Sequence, residues 1–330
     1  MEETTLADYL QGWLDHAKAR VRLKTWERYE SMIRLHVIPA LGEFHLSSLD
    51  PLLLQRHYAT LMSTGLSGGS VLNTHLVLNQ ALAQAVRWGY LPANPCDGVQ
   101  PPRPKRAELA VIDAALAERI LSAAAGTRYE LLVAIALATG MRRGEMLALR
   151  WADVAADYSV IQVRRTVLAT HEGLVYELPK TRRSARSVVL PAFLRPYLEG
   201  ARAKQGVAKK KGAFEDHDLV VCRPGGTSYN PDTVSSGWAP FLKRRKIPHV
   251  RFHDLRHAHA TLMLQQGVHP KIVSERLGHA SIGITLDTYS HVLPSMQQEA
   301  AAAVDAIFGP TPDVADALAP IVDSRSSIHP

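Results

Sequence analysis

A proline-rich basic segment divides this sequence into two parts with different hydrophobic patterns. The segment Gln100–Arg106 reads QPPRPKR, in which three prolines stiffen the chain and remove backbone donors that regular structure requires. Residues before it show helical periodicity, whereas residues after it mix helical and alternating patterns. The 330 residues are enough for two domains. We therefore expect a helical domain at 1–99, a linker at 100–108, a second domain at 109–309 and a flexible tail at 310–330.

Four helices are predicted in the first hundred residues. Apolar residues recur at helical spacing in each of them, and residues with capping or helix-breaking character mark their ends. The helices are expected to begin near Thr5, Thr25, Asp50 and Ser70, and the second is expected to end before Pro39. Four helices of this length indicate a compact α-helical bundle.

The second part is predicted to be mainly helical with a small antiparallel β-sheet. The segment 131–139 is almost wholly apolar and indicates a buried helix. Period-two patterns then predict strands at 159–167, Leu174–Leu178 and Ser187–Leu190. The cation-rich segment 179–186 is interpreted as a hairpin turn between the last two strands. The whole chain is thus expected to be mainly α, with one small sheet in its second domain.

Composition narrows the class of partner and the compartment. The chain has 38 Lys+Arg against 31 Asp+Glu and a pI near 9.4, which suggests an anionic partner, although an ordinary basic protein has the same balance. Cys96 and Cys222 lie far apart, which argues against a disulfide framework or zinc site and favours a reducing cytoplasm. The start lacks signal-peptide character, and no apolar run reaches the ~20 residues of a membrane helix.

A stretch near the C-terminus combines side chains that suit phosphoryl transfer. It contains His253 and Arg256 three residues apart, His279 in Leu-Gly-His, and Tyr289 in Asp-Thr-Tyr-Ser-His. Residues three apart share one helical face, so His253 and Arg256 can point at the same oxyanion. The tyrosine hydroxyl is a candidate nucleophile, because tyrosine is among the side chains that form covalent intermediates.

Two basic positions earlier in the second domain are candidates for the same site. Arg142 follows a glycine at the start of an amphipathic helix. A cation at a helix N-terminus opposes the helix dipole, so its presence there indicates a role other than stabilising the helix. Lys180 heads the cation-rich segment and is a candidate general acid, because lysine carries a transferable proton that its surroundings can tune. The alternative is that these cations are surface charges or simply grip a nucleic-acid backbone.

These residues, in this order, make the chain resemble the tyrosine recombinases, the phage integrase family. The segment TGMRRGEMLALRW is similar to the family's first arginine box, and FHDLRHAHATLM with LGHASIGITLDTYSHV is similar to its second. The opening helices resemble the family's helical, SAM-like core-binding domain, and the second part resembles its catalytic domain. Each box alone is weak evidence, but all of them in order across the chain are specific.

The resemblance implies a role for each candidate. The implied catalytic set is Arg142, Lys180, His253, Arg256, His279 and Tyr289. The arginines would clamp the nonbridging oxygens of the scissile phosphate, the histidines would bond to it, and the lysine would protonate the leaving 5′ oxygen. The tyrosine would attack and form a 3′-phosphotyrosyl link, while Glu145 would orient the site. No metal or other cofactor is implied, because fixed cations supply the electrostatic stabilisation.

Double-stranded DNA is the partner that the resemblance implies. We expect a homotetramer on synapsed DNA sites and a monomer or dimer without DNA. We also expect accessory DNA-bending or directionality proteins. The candidate DNA contacts are Lys18, Arg20, Arg22, Lys24, Arg28, Arg103, Lys105, Arg106, Arg182, Arg183, Arg186, Lys243, Arg244 and Arg245. The family's larger integrases carry a small arm-binding domain before the helical bundle. Because the first helix here begins almost at Met1, the chain is expected to be either a simple recombinase or a truncated form.

Several readings of the same residues compete. Within the family, integration or excision of a mobile element competes with Xer-like resolution of chromosome or plasmid dimers. A catalytically silent DNA-binding protein is disfavoured by the complete residue set, and a relaxing topoisomerase by the helical first domain. A metal-dependent hydrolase using His253, His257 and His259 is disfavoured because no carboxylate follows in a zinc-binding pattern. The apolar face of 296–308 is expected to dock on a neighbouring subunit, or else on its own domain.

Overall fold

The computed structural model describes residues 4–104, 112–178, 185–212, 214–289 and 296–308. The fold is mostly helical, with two short antiparallel strand pairs in the second part of the chain. No helix in these ranges is long and apolar enough to cross a membrane.

Five helices build the first part of the chain around one buried apolar cluster. They are α1 Leu6–Lys18, α2 Leu23–Met32, α3 Ile38–Leu41, α4 Pro51–Ser63 and α5 Gly68–Arg87. Side-chain caps fix three of the starts, because Thr5, Asp50 and Ser67 each accept a bond from a backbone N–H in the first turn. The four predicted helices are therefore confirmed, with α2 and α3 forming the second.

The second helix does not end before Pro39. A five-residue π-helical turn, Ile33–Val37, joins α2 to α3, and Pro39 lies in the first turn of α3. Proline has no N–H to donate and is tolerated where the regular bonding pattern is already interrupted. The wide turn supplies that interruption, so the helix continues through a residue that predicted its end.

The second part of the chain surrounds α7, whose apolar residues are nearly all buried, as predicted for 131–139. Its elements are α6 Ala114–Ala124, α7 Glu130–Thr139, α8 Arg143–Leu147, β1 Val160–Val163, β2 Thr166–Thr170, β3 Gly173–Glu177, β4 Arg186–Val189, α9 Arg195–Lys210, α10 Pro231–Arg244, α11 Asp254–Gln265, α12 Pro270–Leu277, α13 Ile282–Tyr289 and α14 Met296–Phe308. The packing of α11 against α7 brings the HxxR segment to the centre of this core.

The fold class is confirmed, because the chain is mostly helical with a small amount of antiparallel β-structure, but the bounds of the strands differ from the prediction. The predicted strand 159–167 is two strands, because β1 pairs with β4 and β2 pairs with β3 in separate antiparallel pairs. The described strands β3 and β4, which flank the predicted hairpin turn at 179–186, belong to different pairs. Residues 179–184 themselves lie outside the described ranges.

The tip of the β2–β3 hairpin contacts α2 of the first part. The His171 backbone N–H donates to the buried Glu27 carboxylate over 2.6 Å, and Arg22 pairs with Glu177 over 2.6 Å. Lys24 also bonds to Glu27 over 3.2 Å. Two of the cations predicted to touch DNA are therefore engaged with carboxylates at this contact.

Candidate active site

The first arginine of the site is positioned by a glycine turn. Helix α7 ends at Gly140, whose backbone is left-handed with φ 63°, and the chain then turns into α8 at Arg142. A Cβ at Gly140 would lie 2.6 Å from the His259 ring, so only glycine fits this close approach. The Glu145 carboxylate accepts from the Arg142 backbone N–H and from its guanidinium, both over 2.8 Å. Glu145 thus orients Arg142, although a cation here opposes the helix dipole.

The second arginine is held by backbone carbonyls. Arg256 lies on α11, is 4% exposed, and donates to the carbonyls of Gly140 over 2.7 Å and Leu277 over 2.8 Å. These two carbonyls stand at the C-terminal ends of α7 and α12, where backbone oxygens lack helical partners. The guanidinium is therefore fixed at the junction of three helices.

The two histidines of the prediction lie beside these arginines. His253 stands at the N-cap of α11, and Asp254 fixes this end by accepting from Arg251. His279 follows Gly278, a left-handed glycine that ends α12, and its Nδ1 lies 2.8 Å from the buried Thr285 hydroxyl. His253 is therefore placed by the start of α11, and the His279 ring is held by Thr285.

Tyr289 closes the site from α13. Its side chain is 1% exposed and packs with Ala260, Leu264 and Leu277, while its hydroxyl lies 2.7 Å from Nδ1 of His257. Burial raises the pKa of Tyr289 to about 12.

A cavity of about 390 Å³ joins these groups. It is lined by Arg142, His253, Arg256, His257, Gly278, His279, Ala280, Ile284, Thr288 and Tyr289. Five of the six predicted catalytic residues therefore meet in one place, although they come from four separate segments. The sixth, Lys180, lies outside the described ranges. Among the described residues, no group of three or more His, Cys, Asp or Glu is placed to hold a metal ion.

The electrostatics of the cavity suit an anion. Burial, with neighbouring positive charge, lowers the pKa of His253 and of His279 to about 4. Burial also lowers the pKa of Arg256 from 12.5 to about 9, and the charge of Arg142 adds to this effect. A phosphate between these groups would oppose all three shifts, because an opposite charge within about 4–6 Å favours the charged form. The site thus combines the guanidinium groups of Arg142 and Arg256 with imidazoles whose pKa values are lowered.

Arg186, a predicted DNA contact, pairs with a carboxylate inside the fold. Its side chain is 6% exposed and donates to both Glu145 oxygens over 2.9 and 3.2 Å, and to the Arg276 carbonyl over 2.6 Å. Arg186 thereby supports Glu145, which in turn supports Arg142. Its contact with DNA stays a prediction.

The other predicted DNA contacts are spread over the surface. Lys18, Arg20, Arg22, Lys24, Arg28, Arg103, Lys243, Arg244 and Arg245 are exposed, whereas Lys105, Arg106, Arg182 and Arg183 lie outside the described ranges. Some exposed cations lie on aromatic rings, with Lys18 4.8 Å from the Trp26 ring centroid and Arg245 6.0 Å from that of Phe241. Their role toward DNA stays a prediction.

Three parts of the site are not predicted from the sequence. Arg186 is predicted to contact DNA, Thr285 is not singled out, and His257 is not placed in the catalytic set. The neighbouring His259 is buried, with Nδ1 2.7 Å from the Leu137 carbonyl, so it does not line the cavity. The sequence does not show that Arg256 and His257 lie near Tyr289, because these residues meet only when α11 and α13 pack together.

Both parts of the chain match models of known protein families. The model of the "Phage integrase family" matches residues 110–296, and that of the "Phage integrase, N-terminal SAM-like domain" matches residues 5–62. A tyrosine recombinase XerC-like protein of Caldanaerobacter subterraneus subsp. tengcongensis is 29% identical, covering 93% of this chain and 84% of the relative. The ICEBs1 integrase of Bacillus subtilis is 31% identical over 74% of this chain and 67% of its own length.

Solved structures share the fold. The Tn1549 transposon integrase, in complex with a circular intermediate DNA, matches with a TM-score of 0.78 at 19% identity, covering 92% of this chain and 99% of that one. A lambda integrase tetramer bound to a Holliday junction matches with a TM-score of 0.68 at 16% identity, covering 87% of this chain and 78% of that one.

Proposed function

The chain belongs to the phage integrase family of tyrosine recombinases, which cut and rejoin DNA, and we propose that Tyr289 is the nucleophile of this reaction. One observation carries the proposal. Two arginines, two histidines and a tyrosine from separate segments line a single cavity. That combination provides cations, hydrogen-bond donors and a nucleophile around the volume that a phosphodiester would occupy.

The reaction follows from these positions. The Tyr289 oxygen attacks the scissile phosphorus, the bond to the 5′ oxygen breaks, and a 3′-phosphotyrosyl ester forms. Negative charge on the nonbridging oxygens is stabilised by Arg142 and Arg256, which are already held in place before DNA binds. The histidines hydrogen-bond to the same oxygens. The free 5′ hydroxyl of a partner strand then attacks the ester and releases the tyrosine.

Lys180 is proposed as the acid that protonates the leaving 5′ oxygen. It lies in the segment between β3 and β4, and Arg186 anchors the far end of that segment against Glu145. A proton donor is useful there because an alkoxide is a poor leaving group, and general acid catalysis typically contributes about 10²- to 10⁴-fold.

Double-stranded DNA is the proposed substrate, and a homotetramer is the proposed active assembly. The similar Tn1549 and lambda integrase structures contain DNA, the latter as a tetramer on a Holliday junction. The exposed cations of α1 and α2, the linker and the end of α10 are proposed to contact its backbone. Accessory DNA-bending or directionality proteins are proposed to assist the reaction. The proposed location is the cytoplasm, as expected from the two cysteines.

Helix α14 is proposed to join subunits. Three of its apolar side chains are exposed, with Val304 at 54%, Ile307 at 71% and Phe308 at 79%. Such a row of exposed apolar side chains is typical of an interaction surface. Docking on a neighbouring subunit explains this exposure better than docking on its own domain.

Integration or excision of a mobile element is the preferred biological role. Relatives with names from mobile elements include the ICEBs1 integrase and a putative prophage phiRv2 integrase of Mycobacterium tuberculosis. Xer-like dimer resolution is the second candidate, because a XerC-like recombinase also matches nearly the whole chain. The DNA flanking the native gene distinguishes them, since attachment-like repeats beside it support the first role.

The nucleophile assignment is tested with Tyr289→Phe on a nicked substrate that traps the cut strand. The unchanged protein should form an adduct that survives denaturing electrophoresis, whereas the variant should bind the same DNA and form none. His249→Gln, at an exposed site away from the cavity, serves as the control and should form the adduct normally. An adduct with Tyr289→Phe would refute the assignment.

A further inference from the structure

The Tyr289 hydroxyl faces an imidazole nitrogen rather than open solvent. His257 lies one turn after His253 on α11, and its Nδ1 is 2.7 Å from the tyrosine oxygen, with the two ring centroids 5.8 Å apart. The tyrosine side chain is 1% exposed and the histidine is half-buried. This distance is that of a hydrogen bond, in which the phenol donates when the ring carries its proton on Nε2.

The chemistry requires a destination for that proton. Burial raises the pKa of Tyr289 to about 12, so only about one molecule in 10⁵ carries the phenolate at pH 7. A protonated phenol is a weak nucleophile, and a positioned base that accepts its proton as the new bond forms removes this limit. His279 is less suited, because its Nδ1 is occupied by Thr285.

The surroundings of His257 keep its ring neutral. Burial lowers its pKa below 6.5, Asp254 opposes this, and Arg256 and Arg251 add to it. On the other sides, the His253 ring centroid is 5.2 Å away and Tyr289 caps Nδ1. A neutral ring with its proton on Nε2 has a free lone pair on Nδ1, which is the atom that meets the tyrosine.

We propose that His257 is the general base for Tyr289, an inference that rests on the proposed function. As the Tyr289 oxygen bonds to phosphorus, its proton moves to His257 Nδ1 and gives an imidazolium, while the P–O5′ bond breaks and the 5′ oxygen is protonated separately. On rejoining, the P–O bond to tyrosine breaks and the imidazolium returns the proton to the phenolate oxygen. The histidine thereby ends each cycle unchanged.

The test uses His257→Asn and His257→Phe. The asparagine amide oxygen reaches the position of Nδ1 and accepts a hydrogen bond but holds no proton at neutral pH, whereas phenylalanine removes both functions. The substrate carries a bridging 5′ sulfur, a leaving group that needs no acid, so the rate of adduct formation reports the nucleophile alone. Rates are measured from pH 7 to 9 beside DNA affinity, with His249→Gln as the matched control.

The unchanged protein and His249→Gln should react at a rate that is flat from pH 7 to 9. Both His257 variants should bind DNA normally, react about 10²-fold more slowly at pH 7, and gain about tenfold per pH unit, because the tyrosine must then ionise by itself. A flat profile for His257→Asn at the normal rate would overturn the proposal. A variant that reacts faster than the unchanged protein would also overturn it, because the hydrogen bond would then hold the tyrosine in an unreactive position.

One measurement needs no variant. If the unchanged protein itself gains about tenfold per pH unit between pH 7 and 9, the tyrosine ionises without a base and the proposal is wrong. Absence of any adduct at any pH would instead contradict the proposed function, so the two failures are distinguishable.

Discussion

Replacement of Arg186 by methionine tests whether a buried ion pair supports the catalytic arginine. The Arg186 and Glu145 side chains are each 6% exposed and are joined by bonds of 2.9 and 3.2 Å. Methionine fills similar volume but leaves the Glu145 carboxylate without its buried cation. Breaking a buried pair in this way typically costs about 3–5 kcal/mol. Because Glu145 keeps the Arg142 guanidinium and backbone N–H at 2.8 Å, we expect the lower end, about 3 kcal/mol.

The loss is measured by urea unfolding. With a slope of about 3 kcal/mol per M, the expected change lowers the midpoint by roughly 1 M. Arg195→Met is the matched control, since Arg195 pairs with Glu199 over 2.7 Å but the two side chains are 60% and 46% exposed. Because both side chains are exposed to solvent, breaking that pair should leave the midpoint almost unchanged. Equal midpoints for Arg186→Met and Arg195→Met would refute the inference that Arg186 is a supporting residue.

Three further outcomes follow from the same site. Burial alone would raise the pKa of Glu145, but Arg186 and Arg142 hold it below 4.5. The charge of Glu145 therefore stabilises the fold above pH 4.5, and this contribution is lost as the pH falls through the folded pKa. Glu145→Gln should flatten the acid unfolding profile, and an unchanged profile contradicts the pairing. DNA affinity should fall steeply with salt. The logarithm of the binding constant should fall against the logarithm of the salt concentration with a slope of about −0.9 per phosphate contact, and a flat response excludes backbone contacts by the exposed cations. Adduct formation should be unchanged in EDTA, and loss restored by added metal would revive the hydrolase reading.

Helix starts were predictable because their signals are local. Thr5 and Asp50 each accept a bond from a backbone N–H three residues ahead, so the cap and its helix are neighbours in sequence. The buried helix α7 was equally clear, since an apolar run of that length has few other places in a fold.

Strand pairing was not predictable, because partners are distant in sequence. The run 159–167 alternates without a gap, yet Arg164 and Arg165 separate β1 from β2. Both arginines lie 3.5 Å from the buried Asp153, an acceptor whose position only the folded chain reveals. The same limit explains Arg186, whose cation-rich surroundings indicated the surface while its partner Glu145 lies 41 residues earlier.

The catalytic set was predictable from residue order, but its internal contacts were not. Arg142, Arg256 and Tyr289 were chosen for their chemistry and their resemblance to family motifs. That Arg256 would be held by the carbonyls of Gly140 and Leu277, or that Tyr289 would meet His257, depends on how α7, α11, α12 and α13 pack.

The most direct test of the account identifies the residue that becomes joined to DNA. The trapped adduct is digested with nuclease and protease, and the peptide that retains a nucleotide phosphate is sequenced by mass spectrometry. We expect a 3′-phosphate ester on Tyr289 and on no other residue. A nucleotide on a different side chain, or its presence after Tyr289→Phe, would contradict the central claim.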